Sequence, residues 1–428
     1  MASHALLLLG FFLTLRTTRA LAPHFSISAP LRFERPLETR HVLMSEGPSP
    51  DEWREFRQRL ITRGLPLTSE DGVEEPSRAE GEGQVQRQSV APANEALLAQ
   101  QNAKLFEEYM NGAWAHVSPL EAGGLACRLP LQAQLTEQMR QQPLALSNDD
   151  DLAVSESDTL GTRLQKMLLR ELPAVADGGA DKRAELEKTW NQNSAYCFRL
   201  ADRLLIESLQ GVAARATDGK IDARSLKPHE SQLVQLYQES QEEWQQVVLV
   251  LGVDGSQAEG VALNRPLGRG INAQLAQLLL SGELSSTEAA AAADDFMLAF
   301  GREGAVYVGG PSKQREGGLL VHGFGHLEGA VEVSPGTRIY RGGALAAIDA
   351  VKSGELSPLD FRWFVGRQTG ISTAEAGWSA VACARPLALK QCLGLPKPLW
   401  HEVLELCGGD LAVWSQIELM KRTDLDTP

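Results

Sequence analysis

Apolar runs of β-strand type, separated by polar and glycine-rich stretches, mark the last third of the chain. Two of these runs, residues 361–366 and 378–384, precede a helical pattern that ends at Gly408 and Gly409. Aromatic and β-branched side chains favour strands, and glycine is frequent just after a helix. The pattern therefore predicts two strands followed by a helix.

The predicted helix has one apolar face. Leu399, Val403 and Leu406 recur at i, i+4 and i+7, the spacing of an amphipathic helix. This spacing leaves His401 and Glu402 as a pair on the helix surface. We therefore expect reversal of the Glu402 charge to cost under about 0.5 kcal/mol of stability.

Strand-type runs and helical patterns are mixed between residues 246 and 360. The strand-type runs lie at 247–253, 260–266, 305–311, 317–323 and 332–343, and the helical patterns lie at 271–280, 285–300 and 344–353. Strict β-α-β alternation would favour a doubly wound sheet. This order instead favours an α+β fold in which a mixed β-sheet packs against helices.

Residues 145–245 carry a different pattern. An acidic stretch at 147–158 is followed by long segments in which apolar residues recur with a helical period. An apolar run before them, within 121–130, is expected to form the first core strand. We predict a helical insertion at 145–245 that interrupts a main domain spanning 113–428.

The N-terminal segment has the composition of a targeting peptide. Residues 5–15 are mostly apolar and too few for an ordinary transmembrane helix, and the basic stretch after them contains no acid until Glu34. We interpret residues 1–45 as a bipartite plastid signal, with a secretory signal or a retained membrane anchor as the alternatives. Residues 46–112 are predicted to form a helix, a disordered linker and a second helix.

Charge and cysteine content narrow the function classes. The 428 residues carry a formal net charge of −14; residues 1–45 hold five Arg and two Glu, which leaves −17 on the remainder. A non-specific nucleic-acid binder needs a basic surface, so this balance argues against one.

Five cysteines without a C-x-x-C pair favour reduced thiols over a disulfide framework or structural zinc. No later run of 18 apolar residues occurs, and we expect no membrane contact after signal removal.

Seven short motifs occur in one order along the chain. They are WAH at 114–116, ALNRP at 262–266, YVGGP at 307–311, LLVHG at 319–323, YRGG at 340–343, SPLDFRWFVG at 357–366 and the tail at 378–409. Together they resemble the AlgH family of uncharacterised proteins over residues 113–130 and 245–415, and the tail is similar to its plant and algal branch. The resemblance implies a mixed α/β sandwich, a bacterial relative linked to transcriptional control of alginate synthesis, and no settled reaction.

Asn264 and Arg265 end a predicted buried strand just before a proline. Their amide and guanidinium groups could bind a carboxylate or a phosphate. They could equally be structural, with Asn264 closing a turn and Arg265 paired with a carboxylate such as Asp360.

Gly309, Gly310 and Pro311 break the next predicted strand. Their backbone could present N–H groups to an anion, or the glycines could provide the positive φ of a tight turn. Together with Asn264 and Arg265 they make up the candidate ligand-binding site.

Other residues are weaker candidates, and we predict no catalytic residue, no metal site and no cofactor. His322 and His326 are four apart, but the glycines around them disfavour the helix that a metal-binding pair would need. Cys383 has the apolar neighbours of an inert thiol. We expect three basic residues near the C-terminus to be solvated, namely Arg385, Lys390 and Lys397.

These patterns favour a regulatory or interaction protein of the plastid that binds an unknown protein or a small anionic ligand. One alternative is an enzyme acting on a small anionic substrate at a cleft near Asn264, Arg265 and Gly309–Pro311. A second is a transcriptional regulator that binds nucleic acid. A cleft with convergent polar groups would indicate a small-molecule site. An exposed apolar patch would indicate an interaction module, and a basic stripe would indicate a nucleic-acid binder.

We predict that residues 1 to about 45 are absent from the mature protein, because sorting signals of this composition are removed after import. N-terminal sequencing of the native protein tests this. A mature chain that starts at Met1 or Ala2 would contradict it.

Overall fold

The computed structural model describes residues 98–141, 153–155, 158, 160–171, 194–215, 225–267, 270–374, 377–392 and 397–420. The predicted targeting segment and most of the predicted segment 46–112 lie outside these residues. The chain divides into two compact units, one of Met44–Ser415 and one of Met1–Leu43 with Gln416–Pro428, and both β-sheets belong to the former. Among the described helices none is long and apolar enough to cross a membrane.

The described helices and strands follow the chain in a mixed order. They are α1 (Ala103–Met110), β1 (Ala115–Val117), β2 (Leu125–Arg128), α2 (Leu131–Gln141), α3 (Leu160–Glu171), α4 (Ser194–Ala213), α5 (Pro228–Glu242), β3 (Val247–Asp254), β4 (Gln257–Ala262), α6 (Ala273–Leu280), α7 (Ser286–Phe300), β5 (Ala305–Val308), β6 (Gly318–His322), β7 (Ala330–Glu332), β8 (Tyr340–Gly342), α8 (Ala344–Lys352), β9 (Arg362–Val365), β10 (Gln368–Ile371), β11 (Trp378–Cys383), α9 (Arg385–Leu389), α10 (Leu399–Cys407) and α11 (Gly409–Met420).

The strands form two sheets. The first has the order β1-β11-β2-β3-β4-β10, and its neighbouring strands are antiparallel. The second has the order β5-β9-β6-β8-β7, in which β5 and β9 are parallel and the other pairs are antiparallel. The prediction of an α+β fold with a mixed sheet and helices is therefore confirmed.

One face of the second sheet packs against α6, α7 and α8. Val306, Leu320 and Trp363 from this sheet share one apolar core with Phe296 and Phe300 of α7. The Trp363 ring centroid lies 5.0 Å from that of Phe296 and 5.7 Å from that of Phe300, both edge to face. Burial of these large rings is the main source of stability in this layer.

The opposite face of the second sheet is turned toward the first sheet. Tyr307 and Phe364 are paired on β5 and β9, so their side chains share a face, and Arg362 lies two residues before Phe364 on the same face. The Arg362 guanidinium donates a hydrogen bond to the carbonyl of Leu263, the residue after β4. A buried cation therefore lies between the sheets.

Two runs of chain pass from one sheet to the other. After β4, the Leu267 N–H donates to Val306 O at 2.8 Å and the Val308 N–H donates to Arg265 O at 2.7 Å, so this chain pairs with β5. In the same way β9 of the second sheet continues through residues 366–367 into β10 of the first. Continuous backbone therefore joins the sheets in addition to side-chain packing.

The backbone approaches itself closely where the chain leaves β5 and β9. A Cβ atom on Gly309 would lie 2.5 Å from Gly366 O, and one on Gly310 would lie 2.2 Å from the carbonyl carbon of Arg367. Gly366 also has a φ of +77°, in the left-handed region that glycine adopts readily. Glycine is required here because the two runs of chain leave no room for a side chain.

Local sequence sets the helix starts. Ser285 and Glu288 form a capping box at α7, in which the Ser285 N–H donates to the Glu288 carboxylate at 3.0 Å. Asn272 caps α6 by accepting a hydrogen bond from the Leu275 N–H at 2.8 Å. Such caps satisfy N–H groups that have no partner inside the helix. They explain why α6 and α7 begin close to the predicted positions.

Helices α2 to α5 lie in sequence between β2 and β3. They contact one another, and α4 buries four of the apolar side chains that showed a helical period, namely Phe198, Leu200, Leu204 and Leu205. Strands β2 and β3 are neighbours in the first sheet, although these helices separate them in sequence. The limits assigned to the targeting segment, the linker and the insertion stay predictions.

Candidate functional site

Asn264 and Arg265 hold the loop that leads into β3. The Asn264 amide donates to Gln245 O at 2.7 Å, and its oxygen accepts from the Val247 N–H at 3.0 Å. Arg265 donates to the carbonyl of Trp244. Gln245 has a positive φ of 53°, so these hydrogen bonds hold a backbone conformation that is unusual for a residue other than glycine.

The proposed pairing of Arg265 with Asp360 is not formed. The Asp360 carboxylate instead accepts a hydrogen bond from the Asn102 amide at 2.6 Å. Burial lowers the pKa of Arg265, and the nearby Glu243 carboxylate opposes this lowering. In this structure Arg265 therefore has a structural role, and its binding of an anion stays a prediction.

The segment Gly309–Pro311 lies beside Asn264 and Arg265, as the Val308 hydrogen bond to Arg265 shows. The Gly309 N–H donates to Val365 O at 2.7 Å, and the Gly309 carbonyl accepts from the Ala262 N–H at 2.8 Å. The N–H and the carbonyl of Gly309 are thus both hydrogen-bonded to backbone groups of other segments. A ligand role for Gly310 and Pro311 stays a prediction.

A cleft of about 570 Å³ opens between the two sheets at a different place. The β3–β4 hairpin and β10 line it from the first sheet, and β6 and β8 line it from the second. None of the five predicted site residues is in its lining. In the described part of the chain, six ionisable side chains line it, namely Asp254, Glu259, Lys313, Glu316, Arg341 and Arg367.

Two arginines line this cleft, Arg341 on β8 and Arg367 in the connection between β9 and β10. Burial lowers the pKa of Arg367; Glu259 opposes the lowering, Arg341 adds to it and Glu316 opposes it. Arginine stays protonated at neutral pH, so the cleft contains two guanidinium cations close enough to repel. A third cation, Lys313, forms an ion pair of 2.6 Å with Glu259 across the cleft wall.

Sequence reasoning missed Arg341 and Arg367 as site residues. Arg341 lies within the YRGG motif, and Arg367 follows the strand-type run 361–366. Arg341 lies on β8, whereas Arg367 lies in the connection between β9 and β10, and β6 separates β8 from β9 in the second sheet. Only the strand order brings them to one cleft, so local spacing held no signal of their proximity.

A second group of polar side chains is buried beneath α1. Lys390 is 1% exposed and Glu402 is 3% exposed, and the Lys390 ammonium binds the Glu402 carboxylate. The Tyr109 hydroxyl donates to the other oxygen of Glu402 at 2.7 Å. His401 is also fully buried, with Nδ1 3.0 Å from Ser415 Oγ. The prediction that His401 and Glu402 form a surface pair is therefore wrong.

The predicted solvated basic cluster is wrong for the same reason. Lys390 is buried against Glu402, Arg385 Nε donates to Glu108 at 2.9 Å, and Lys397 pairs with a carboxylate of α10. Tyr109 of α1 reaches the Glu402 carboxylate on a second side of α10. Periodicity could not reveal this contact because it reports only the most apolar face. Glu108 and the other residues of α1 come from almost 300 residues earlier in the chain.

Arg362 connects this group to the sheets. Its guanidinium donates to Ala388 O at 3.0 Å and lies 4.5 Å from the Tyr307 ring centroid. The Tyr307 hydroxyl donates to Gln391 at 2.6 Å and accepts from the Cys392 N–H at 3.1 Å. Burial raises the pKa of the Cys392 thiol although Arg362 opposes it, so this thiol is not activated.

His322 is a structural residue. Phe324 N–H donates to its Nδ1 at 3.1 Å, so Nε2 carries the proton and donates to Gly342 O at 2.9 Å. Burial lowers the pKa of His322 to about 4, which keeps the ring neutral. Among the described residues no group of three His, Cys, Asp or Glu side chains could hold a metal ion.

The buried pair reverses our expectation for Glu402. We predict that Glu402→Lys lowers the free energy of unfolding by about 3–5 kcal/mol, because it places a second ammonium group against buried Lys390. Glu107→Lys on the exposed side of α1 is the control and should change stability by less than about 0.5 kcal/mol. Urea melts of the two variants measure the difference; equal stabilities would contradict the buried pair.

Comparison with known proteins identifies part of the chain. Residues 237–412 match the family model described as AlgH-like. A crystal structure of a Corynebacterium diphtheriae protein aligns at 16% identity and a TM-score of 0.28, covering 40% of this chain and 82% of its own. The solution structure of the AlgH protein from Pseudomonas aeruginosa aligns at 15% identity and a TM-score of 0.24, covering 34% and 72%. No curated protein matches the chain. The chain thus contains an AlgH-like domain at residues 237–412.

Proposed function

We propose that this AlgH-like protein is a non-catalytic regulatory protein that acts by binding a ligand in the cleft between its two sheets. The observation that carries the proposal is the cleft itself, which has a volume of about 570 Å³ and is lined, among the residues that the structure describes, by six ionisable side chains. Ligand pockets in proteins have volumes of this order and contain a few convergent polar groups.

The lining favours binding over catalysis. Among the described residues that line the cleft there is neither a histidine, the most frequent general base, nor a cysteine nucleophile. The hydroxyl of Thr369 in the lining lies 2.9 Å from the hydroxyl of Ser312. An interaction module without a pocket would instead present a broad exposed apolar patch.

We also propose a plastid location for this binding protein. The support is the composition of residues 1–45, with an apolar core followed by a basic stretch poor in acids. The similarity of the tail at 378–409 to the plant and algal branch of the family supports the same location.

Capture of small molecules from an extract of the source cells tests the proposal. The wild-type protein is incubated with the extract and separated by rapid gel filtration, and bound molecules are identified by mass spectrometry. Val253 lines the cleft and is 41% exposed, so Val253→Trp should block the cleft without disturbing a core. The control is Val117→Trp, at a strand residue 47% exposed outside the cleft lining.

We predict that the wild type and Val117→Trp capture the same molecule and that Val253→Trp does not. The captured molecule should be recovered chemically unchanged. Equal capture by all three proteins would contradict a site in the cleft. Recovery of an altered molecule would contradict the non-catalytic role and favour an enzyme.

A further inference from the structure

We propose that the ligand of the cleft is a small dianion, a phosphate or a dicarboxylate, held between Arg341 and Arg367. This inference rests on the proposed function, because it assigns a chemical class to the ligand of the same cleft. Free phosphate and dicarboxylates share the feature that matters, which is two negative oxygens that two guanidinium groups can reach together.

Strand pairing places Arg341 on the cleft side of the second sheet. Arg341 lies directly opposite Val321 on β6 and Val331 on β7, and opposed residues in antiparallel strands present their side chains on one face. Leu319, two residues before Val321 on β6, shares that face and lines the cleft. Arg341 is exposed, so its guanidinium is available to a ligand.

Arg367 reaches the same cleft from the chain that joins β9 to β10. Its Nη1 donates to Gly366 O at 2.9 Å, and the Arg367 backbone exchanges hydrogen bonds with Ser312 at 2.7 and 3.0 Å. These contacts fix Arg367 at the point where the chain passes from the second sheet to the first. The guanidinium is thus partly withdrawn from water and directed by a rigid backbone, which favours a specific anion contact.

A bound dianion would relieve an unfavourable charge arrangement. Burial of Arg367 weakens its hydration and Arg341 repels it, while Glu259 and Glu316 offset part of this effect. Guanidinium groups bind carboxylate and phosphate oxygens through paired hydrogen bonds that are about twice as strong as neutral ones. An anion between the two cations would therefore gain contacts and remove their repulsion.

Carboxylates in the lining should limit the affinity. Glu316 lies close enough to Arg367 to raise its pKa, and Glu259 is shared between Arg367 and Lys313. A negative ligand is repelled by both carboxylates. Removing the charge of Glu316, which is exposed, should therefore tighten binding, whereas removing the charge of Arg341 should weaken it.

Titration calorimetry with inorganic phosphate and with succinate, at low ionic strength, tests the assignment. Arg341→Gln should weaken the binding of the better probe by about 10-fold or more, as expected for loss of a charged hydrogen bond. Glu316→Gln should tighten it by about 2–5-fold. The control Arg302→Gln, at an exposed arginine outside the cleft lining, should leave it unchanged.

Opposite signs for Arg341→Gln and Glu316→Gln are the signature of an anion in the cleft. The assignment is overturned if wild type binds neither probe at millimolar concentration, or if Arg341→Gln binds as tightly as wild type. Binding of glycine without binding of succinate would show a zwitterion site and also overturn it. These results would leave the proposed function in place if Val253→Trp still abolishes capture of the molecule from the extract.

Discussion

A single buried guanidinium, that of Arg362, is the interaction on which the described structure depends. It bonds the start of β9 to the Leu263 carbonyl at the end of β4 and to the Ala388 carbonyl of α9. Among the described residues no carboxylate pairs with it, and Nε has no hydrogen-bond partner there. The guanidinium also donates to Cys392 Sγ at 3.7 Å, and the Tyr307 and Phe364 ring centroids lie 4.5 and 5.3 Å from its carbon, where they add to the stabilisation of the charge. Replacing Arg362 would remove the side-chain donor from two buried carbonyls, those of Leu263 and Ala388.

The strand that Arg362 anchors also positions the cleft. β9 begins at Arg362 and leads through Val365 to Arg367, which is the point where the chain enters the first sheet. A displacement of β9 would therefore move the Arg367 guanidinium relative to Arg341. The glycines at this crossing permit the close approach that fixes both runs of chain. Strand β9 thus links the group of polar side chains beneath α1 to the cleft.

Much of the fold could be read from the sequence, because strands and helices after residue 246 carry local signals. Periodicity correctly identifies Leu399 and Val403 as buried, whereas Leu406 is only half-buried. It fails for Lys390 and Glu402, because they are buried against each other and against Tyr109 of α1, which is distant in sequence. From sequence, a charged residue on the polar side of a helix is predicted to be exposed to solvent unless its buried partner is known.

The candidate site was less predictable than the fold. The strand predicted at 260–266 ends at Ala262, so Asn264 lies in the turn after β4, and its side chain bonds to backbone at the start of β3. The cleft arises from the order of strands in two sheets, and no motif spacing encodes that order. Arg341 and Arg367 are ordinary surface residues in the sequence. Their shared location becomes visible only when β8 and the β9–β10 connection are seen on the same side of the molecule.

The most direct test of the account is a map of amide chemical shifts during titration of the protein with inorganic phosphate. The account predicts that the largest shift changes occur at the cleft, in residues 313–319, 340–342 and 366–370. Changes centred on Asn264–Arg265 and Gly309–Pro311 would instead support the site predicted from sequence. Such a result, or the absence of any change, would contradict the claim that the ligand binds between the sheets.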